Sequence, residues 1–405
     1  MNRRDFLIGC SSTVAVSALS SFETFTFSEQ DNKDIFVLVF LRGGCDALNM
    51  VAPISDKNYI DARSQNLRIT ETGENKGWLL KNTLNQLDFA LHKSAKPLFD
   101  LYQNQNLAII HACGLPNGTR SHFDAQDLIE KGITKKQNIS DGWLARYLNQ
   151  KQLDGAIPAL ASSNIPLSLL GSSQAISMSK PQDFNLKGDP RLKGLLKSLY
   201  NGDTLLDKTV QNTLKNIKTI QQKQPKEYIS STDYPNAWYA QSFSNSLKTI
   251  AQTIKMDVGL QVATVDFGGW DTHENQSWTF DLLTKALSEG LMAFYNDLSG
   301  YHNKLSILVM SEFGRRVKSN YSNGTDHGFG GVMFALGKNV KGGKMYGKWN
   351  GLATEQLDNG VDLAVTTDYR TILGEILTQR LNVPGSDLKK IFPDFNLSNK
   401  LGFIN

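Results

Sequence analysis

Cysteine is scarce, with three in 405 residues, so no disulfide framework organises this chain. No apolar run approaches the roughly 20 residues that each membrane span of a polytopic protein needs. Neither sign of charge dominates. Lys plus Arg number 43 and Asp plus Glu 39, a net of +4, which is too balanced and too dispersed to mark a nucleic-acid partner. No internal repeat and no long low-complexity segment is found. What is present is ordinary globular composition, 40% apolar and 20% charged. The length allows two to three domains, or equally one large α/β domain of about 350 residues. Either can bury a core without disulfides or a structural metal.

The first residues read as an address. Arg3 and Arg4 precede Phe6-Leu7, and a weakly apolar, Ser-rich stretch continues to Phe22. This resembles a twin-arginine export signal and implies a periplasmic or secreted destination. The alternative is a chance Arg-Arg pair before a buried helix. The stretch is short and rich in Ser, a poor spanning helix, so no transmembrane span is expected in the mature chain. Leu7-Ile8-Gly9-Cys10 has the shape of a lipoprotein cleavage box but stands at the start of the apolar stretch, so Cys10 reads as part of the signal. Cleavage is expected between residues 18 and 30. Residues 1–27 are taken as the signal and 28–405 as one domain. Twin-arginine export carries folded proteins, which is consistent with a metal or cofactor loaded before export. Cys45 and Cys113 remain in the mature chain, and a disulfide between them is open in an oxidising compartment.

Asp34–Leu41 is a continuous β-rich apolar run ending at Gly43-Gly44, the pattern of a strand buried on both faces. Leu107–Ala112, Leu260–Asp266, Leu305–Met310 and Val332–Leu336 repeat the pattern. Helical periodicity is clearest over Leu206–Gln221, Ala237–Lys255, Trp278–Tyr301 and Asp368–Leu381, with Asp368 a good N-cap. Buried strands separated by helices predict an α/β fold with a mainly parallel central sheet. Residues 180–236 are polar and helical and read as an insertion or cap.

The unusual residues fall at the ends of these strands. The first runs into Arg42-Gly-Gly-Cys-Asp46. The second leads to Arg120-Ser-His-Phe-Asp-Ala-Gln126, the third to Asp266-Phe-Gly-Gly-Trp-Asp-Thr-His273, and the fourth to Ser311-Glu-Phe-Gly-Arg315 and then Gly324-Thr-Asp-His-Gly328. Parallel strands would bring all of these to the carboxyl edge of the sheet, where such folds bind ligands. Carboxylates and imidazoles together suit Zn or Mn. Asp271-x-His273 and Asp326-His327 each place both donor types within three residues. One such pair is usually a solvated turn, whereas several at neighbouring strand ends point to a metal centre. The alternative is a hydrogen-bonded network stitching the loops together. Ser121 opens a helix, where an anion and a nucleophilic hydroxyl would both be favoured. Ser is equally a common N-cap, with Asp124 completing a capping box. His122 would assist as a base or face the loop. His92 and His302 read as surface residues in helical context, and His111 as a core residue of a strand.

These motifs, in this order and with Gly342-Gly-Lys-Met-Tyr-Gly347 after them, resemble the exported "domain of unknown function 1501" family, itself similar to the alkaline phosphatase and sulfatase superfamily. The resemblance covers essentially the whole chain after the signal. It implies an alkaline phosphatase-like α/β sandwich whose metal site activates a nucleophile against phosphate or sulfate esters. By position, Asp46 matches the early acidic ligand and Ser121 the nucleophile, with His122 and Arg315 beside it. Asp271, His273, Glu312, Asp326 and His327 match metal positions, with Asp266 the rival of Asp271. Arg42 and Arg120 would hold an anionic ester. Phe313 stands where the superfamily has His after its acidic ligand, which puts a full second metal site in question. No Cys-x-Pro-x-Arg occurs, so a formylglycine sulfatase is rejected. No Gly-x-Ser-x-Gly elbow supports a metal-free serine hydrolase. The expectation is a metal-dependent ester hydrolase acting on an anionic ester or envelope glycan. The alternative is a non-catalytic descendant that binds an envelope glycan or protein.

Overall fold

The computed structural model describes residues 34–186, 189, 191–223 and 228–405. The expected export signal, Cys10 and the expected cleavage point lie outside the described residues. The seven apolar residues of β1 (Ile35–Leu41) are buried along their whole length, as a strand covered on both faces must be. After it come β2 (Val51–Pro53), β3 (Trp78–Leu79), β4 (Phe89–Leu91), β5 (Leu107–Gly114), β6 (Ala159–Ala161) and β7 (Ala175–Ser177). The later strands are β8 (Val262–Phe267), β9 (Leu305–Ser311), β10 (Gly331–Leu336), β11 (Lys344–Tyr346) and β12 (Thr367–Asp368).

The main sheet has the order β11-β5-β10-β9-β1-β8-β6-β7, with β12 also pairing β5. β1 is parallel to both β8 and β9. The other strands share that direction except β10, which is antiparallel to β5 and β9 between which it lies. β2, β4 and β3 form a small antiparallel sheet. This is the mainly parallel α/β architecture expected from the apolar runs.

Side chains of β1 alternate between two cores, as the period of a strand requires. Val37, Val39 and Leu41 pack with Leu98, Leu247, Ile250, Leu287 and Phe294, from the helices Lys96–Gln103, Gln241–Lys255 and Gln276–Asp297. Phe36, Leu38 and Phe40 pack with Leu128, Trp143, Leu144, Ile372 and Ile376, from the helices His122–Glu130, Trp143–Lys151 and Tyr369–Gln379. Helices thus cover both faces. In the polar segment, the helices Arg191–Leu199 and Leu205–Lys223 meet through Leu196, Val210 and Leu214. Ile217 and Ile220 of the second join the first core. The last long helix begins after Asp368, whose carboxylate accepts from the Arg370 N–H.

One open question is settled and two local expectations are corrected. Cys45 and Cys113 are both free and buried, so no disulfide joins them. His92 is not on the surface. It is 3% exposed in the turn after β4, accepts from the Ser94 N–H and meets Phe280 edge to face. His302 lies in a turn, half-buried, with its ring stacked on Tyr295 at 3.7 Å. His111 is the buried strand residue expected, its Nε2 3.0 Å from the Val51 carbonyl. Among the described residues no helix is long and apolar enough to cross a membrane.

Candidate metal centre

The carboxyl ends of β1, β5, β8 and β9 and the amino end of β10 lie at one edge of the sheet, because β10 alone is reversed. Close backbone approach draws their loops together. Gly43 follows β1 with φ +122, and a Cβ there would meet the Asp271 nitrogen at 2.4 Å. At Gly324 a Cβ would meet the His273 carbonyl at 2.2 Å. Only glycine permits either contact, and both fix the Asp271–His273 segment.

Three imidazoles and a carboxylate meet there. The Nε2 atom of His327 lies 3.0 Å from Nε2 of His122, 2.8 Å from Nε2 of His273 and 3.1 Å from Oδ1 of Asp271. His273 Nε2 is also 3.0 Å from Asp271 Oδ1. The far side of each ring decides what these nitrogens carry. His327 Nδ1 is 2.7 Å from the Arg120 carbonyl, which can only accept, so this nitrogen holds the proton. His122 Nδ1 is 2.8 Å from Glu312 Oε1. Burial pushes the Glu312 carboxyl up, but bonds from His122, Gln126 and Gly43 outweigh it and hold it at about 2. Glu312 is therefore an ionised acceptor. His273 Nδ1 faces Asp326 Oδ1 at 3.5 Å, and the Asn320 amide keeps Asp326 below its ordinary range.

With each Nδ1 turned to an acceptor, each Nε2 turns inward, toward the others and toward Asp271. Burial raises the Asp271 carboxyl, yet Arg315 and His327 outweigh it and hold it at about 2. Four electron-pair donors converge with no donor hydrogen assigned among them. One shared proton would relieve one contact. The bond from His122 to Glu312 favours such a proton on His122, whereas burial disfavours it on His327. A cation held by His122, Asp271 and His327 would relieve the contacts among those three, with His273 beside them. Carboxylates or carbonyls behind each imidazole are the usual support of metal-binding histidines. His122, Asp271 and His327 alone form a group able to hold a metal ion. Two imidazoles and one carboxylate, with the His273 imidazole beside them, suit zinc better than manganese.

The remaining expected residues take other places. Asp46 does not join the cluster. It is fully buried, caps the short helix Ala47–Met50 and pairs with Arg63 at 2.5 and 2.9 Å. Gln276 and Thr325 also donate to it. Burial raises its carboxyl and Arg63 more than offsets that. Glu312 and Asp326 stand behind imidazoles as acceptors. Arg315 is 1% exposed and donates to the carbonyls of Gly43, Gly44 and Thr325 and to Asp271. It ties three loops to the carboxylate and is closed to an ester. Arg42 is engaged by Glu130 and Asp266, and Asp266 is not in the group His122, Asp271 and His327. Arg120 is held by Asp362 through Nε and one terminal nitrogen. Its guanidinium keeps another nitrogen free of protein bonds among the described residues. Ser121 N-caps the helix His122–Glu130, its oxygen 3.4 Å from the Asp124 N–H. Among the described residues no hydrogen bond joins that hydroxyl to the imidazoles.

Residues 33–374 match the family described as "Protein of unknown function (DUF1501)". The chain belongs to that family. No curated protein matches it. Solved structures with partial likeness to this DUF1501 chain include Ps i-CgsB in complex with k-i-k-neocarrahexaose, at 10% identity and a TM-score of 0.42, covering 90% of this chain and 75% of that one. The C-terminal periplasmic domain of EcEptC from Escherichia coli, in complex with Zn, gives 11% and 0.34 over 79% and 77%. Alkaline phosphatase from the Antarctic bacterium TAB5 gives 10% and 0.27 over 76% and 92%.

Sequence reasoning missed the residues that surround the DUF1501 site. Gln126 lies one helical turn after His122, a spacing that could have revealed it. Glu130, two turns after His122 on the same helix, receives Arg42. Arg63, Gln276 and Asp362 carry no local signature, because their partners lie 17 to 242 residues away.

Proposed function

We propose that this protein is an exported metal-dependent hydrolase of phosphate or sulfate esters, with zinc favoured over manganese. One observation carries the reading. The lone pairs of His122, His273 and His327 and the carboxylate of Asp271 point at one another while every Nδ1 is committed elsewhere. A bound divalent cation supplies Lewis-acid charge against the negative charge that develops on a transferred ester group.

The chain's own groups supply the rest. Glu312 and the Arg120 carbonyl hold the tautomers of His122 and His327. Arg315 holds Asp271 in place and keeps it ionised. Arg120, half-exposed, offers its remaining N–H groups to an anionic ester oxygen. Ser121 stands beside His122 at a helix N-terminus, where partial positive charge favours an anion. Its capping role uses an oxygen lone pair and leaves the hydroxyl proton to be given up. The twin-arginine signal supports export, and a folded chain carrying its ion suits that route.

The test is the metal content of protein purified without chelators or a metal-affinity column. The expected result is a tightly bound ion, lost in Asp271→Asn and His327→Ala, with turnover of aryl phosphate or aryl sulfate that Ser121→Ala abolishes. Folded protein that takes up neither zinc nor manganese would overturn the reading. Metal binding without turnover of either ester would favour the binding-only alternative.

A further inference from the structure

Two large aromatic rings stand in solvent where a folded chain normally hides them. Trp238 is 75% exposed and Trp278 62% exposed, although Trp is buried on average. They come from separate elements. Trp238 lies in the turn before the helix Gln241–Lys255, and Trp278 in the first turn of the helix Gln276–Asp297. Their ring centres are 6.3 Å apart and the planes meet at 32°. They flank a groove of about 310 Å³. Its floor is the stacked pair Phe243 and Phe267, 4.4 Å apart. Its polar side is Asp266 with Gly268, where no atom lies within 4 Å of a would-be Cβ.

Asp266 gives this groove its chemistry. Arg42 donates to one carboxylate oxygen, Oδ1, from Nε at 3.0 Å and from a terminal nitrogen at 2.8 Å. Among the described residues the other oxygen has no partner. The carboxylate thus retains acceptor capacity, while Arg42 shares its one positive charge between Asp266 and Glu130. A free carboxylate oxygen beside apolar aromatic faces suits hydroxyl donors. A pyranose ring matches both halves. Its C–H face is apolar and covers an indole, and its hydroxyl edge supplies donors to Asp266.

The groove and the metal centre share one chain segment. Gly269 lines it, and Asp271 is two residues further along the same segment. The Trp270 N–H between them is bonded to the Arg42 carbonyl at 3.2 Å. We infer that this groove is a glycan subsite, in which Trp238 and Trp278 bear a sugar ring and Asp266 accepts its hydroxyls, next to the ester-bearing end at His122, Asp271 and His327. The inference rests on the proposed ester hydrolase and narrows its substrate to esters carried on polysaccharide. It describes binding by groups other than the metal donors, so it can fail separately.

The test is binding of the full mature chain to an array of neutral and sulfated oligosaccharides four to eight sugars long, with each hit titrated by tryptophan fluorescence. The expected result is a hit that Trp238→Ala and Trp278→Ala each weaken about ten-fold or more, and that His327→Ala retains. Both tryptophans are exposed, so both variants should fold, which circular dichroism checks. Trp278→Phe, which keeps an aromatic face, should recover part of the affinity. Three outcomes overturn the inference. One is no oligosaccharide bound by the unmodified chain. Another is a hit lost in His327→Ala but unmoved by either tryptophan variant, which would assign binding to the imidazoles. The third is a dimer that dissociates in Trp238→Ala without any glycan bound, since a second copy would then be the occupant. Loss of metal binding by the unmodified chain with the glycan hit intact would sink the hydrolase and keep the subsite.

Discussion

Asp46→Asn is the substitution that separates a ligand from a structural ion. Asp46 and Arg63 are both buried and joined by two short bonds, and Gln276, Thr325 and two backbone N–H groups complete the carboxylate. Asparagine keeps one acceptor oxygen but turns an NH₂ group toward existing donors. It also leaves the Arg63 guanidinium without its counter-charge in a dry site. Removing one partner of a buried pair costs about 3–5 kcal/mol. At about 2 °C per kcal/mol for a large domain, the melting midpoint should fall by roughly 6–10 °C. Metal content of the folded variant should be unchanged, because Asp46 lies outside the imidazole cluster. The double variant Asp46→Asn with Arg63→Met should recover part of the loss, since the stranded charge is gone. Differential scanning calorimetry and elemental analysis on the same preparations read both quantities. A variant that melts normally but loses its ion would refute this reasoning and return Asp46 to the ligand set.

Acid should destabilise the fold through two buried histidines. Burial pushes His92 and His111 down to about 4, against about 6.5 in an unfolded chain. Between those values the unfolded chain binds more protons, so stability falls as pH drops from 6.5 toward 4. Each contributes about 2 kcal/mol of that loss at pH 5, and His92→Asn should flatten the slope of urea-unfolding free energy against pH. An unchanged slope would show that His92 is not buried neutral. Arg315→Lys removes the fork that reaches two glycine carbonyls and Asp271 together, so it should lower metal affinity and cost about 2–4 kcal/mol. Wild-type zinc affinity by competition with a chelating dye would contradict it. Gly43→Ala forces a Cβ into the Asp271 backbone, and should weaken zinc at least about ten-fold; equal affinity would mean that the loop yields freely.

Much of this was legible in the sequence, for identifiable reasons. The seven-residue run of β1 reads as a doubly covered strand, and Asp271-x-His273 and Asp326-His327 stand out because each sets a carboxylate beside an imidazole after an apolar run. Direction was not legible. β10 reads as apolar whichever way it runs, and its reversal shows only when it is paired with β5 and β9. Nor was the division between donors and their supports. Asp46, Glu312 and Asp326 look alike in sequence, yet one meets a guanidinium and two meet the backs of imidazoles. The burial of His92 depended on the helix of Phe280 lying over it, a contact between residues far apart in the chain.

The reversed strand also sets a clock. β10 sits between β5 and β9, so the sheet cannot be divided into an early half and a late half, and the segment that carries His327 leads directly into it. His122 and His327 are 205 residues apart. At ribosomal rates of about 5–20 residues per second, on the order of 10–40 s separates their synthesis. During that interval His122 is already made and its partner does not exist. A nascent chain that ends before His327 therefore cannot bring the imidazoles and Asp271 together. Ion capture would then report that synthesis has passed His327 and reached the strand that joins β5 to β9 in the sheet.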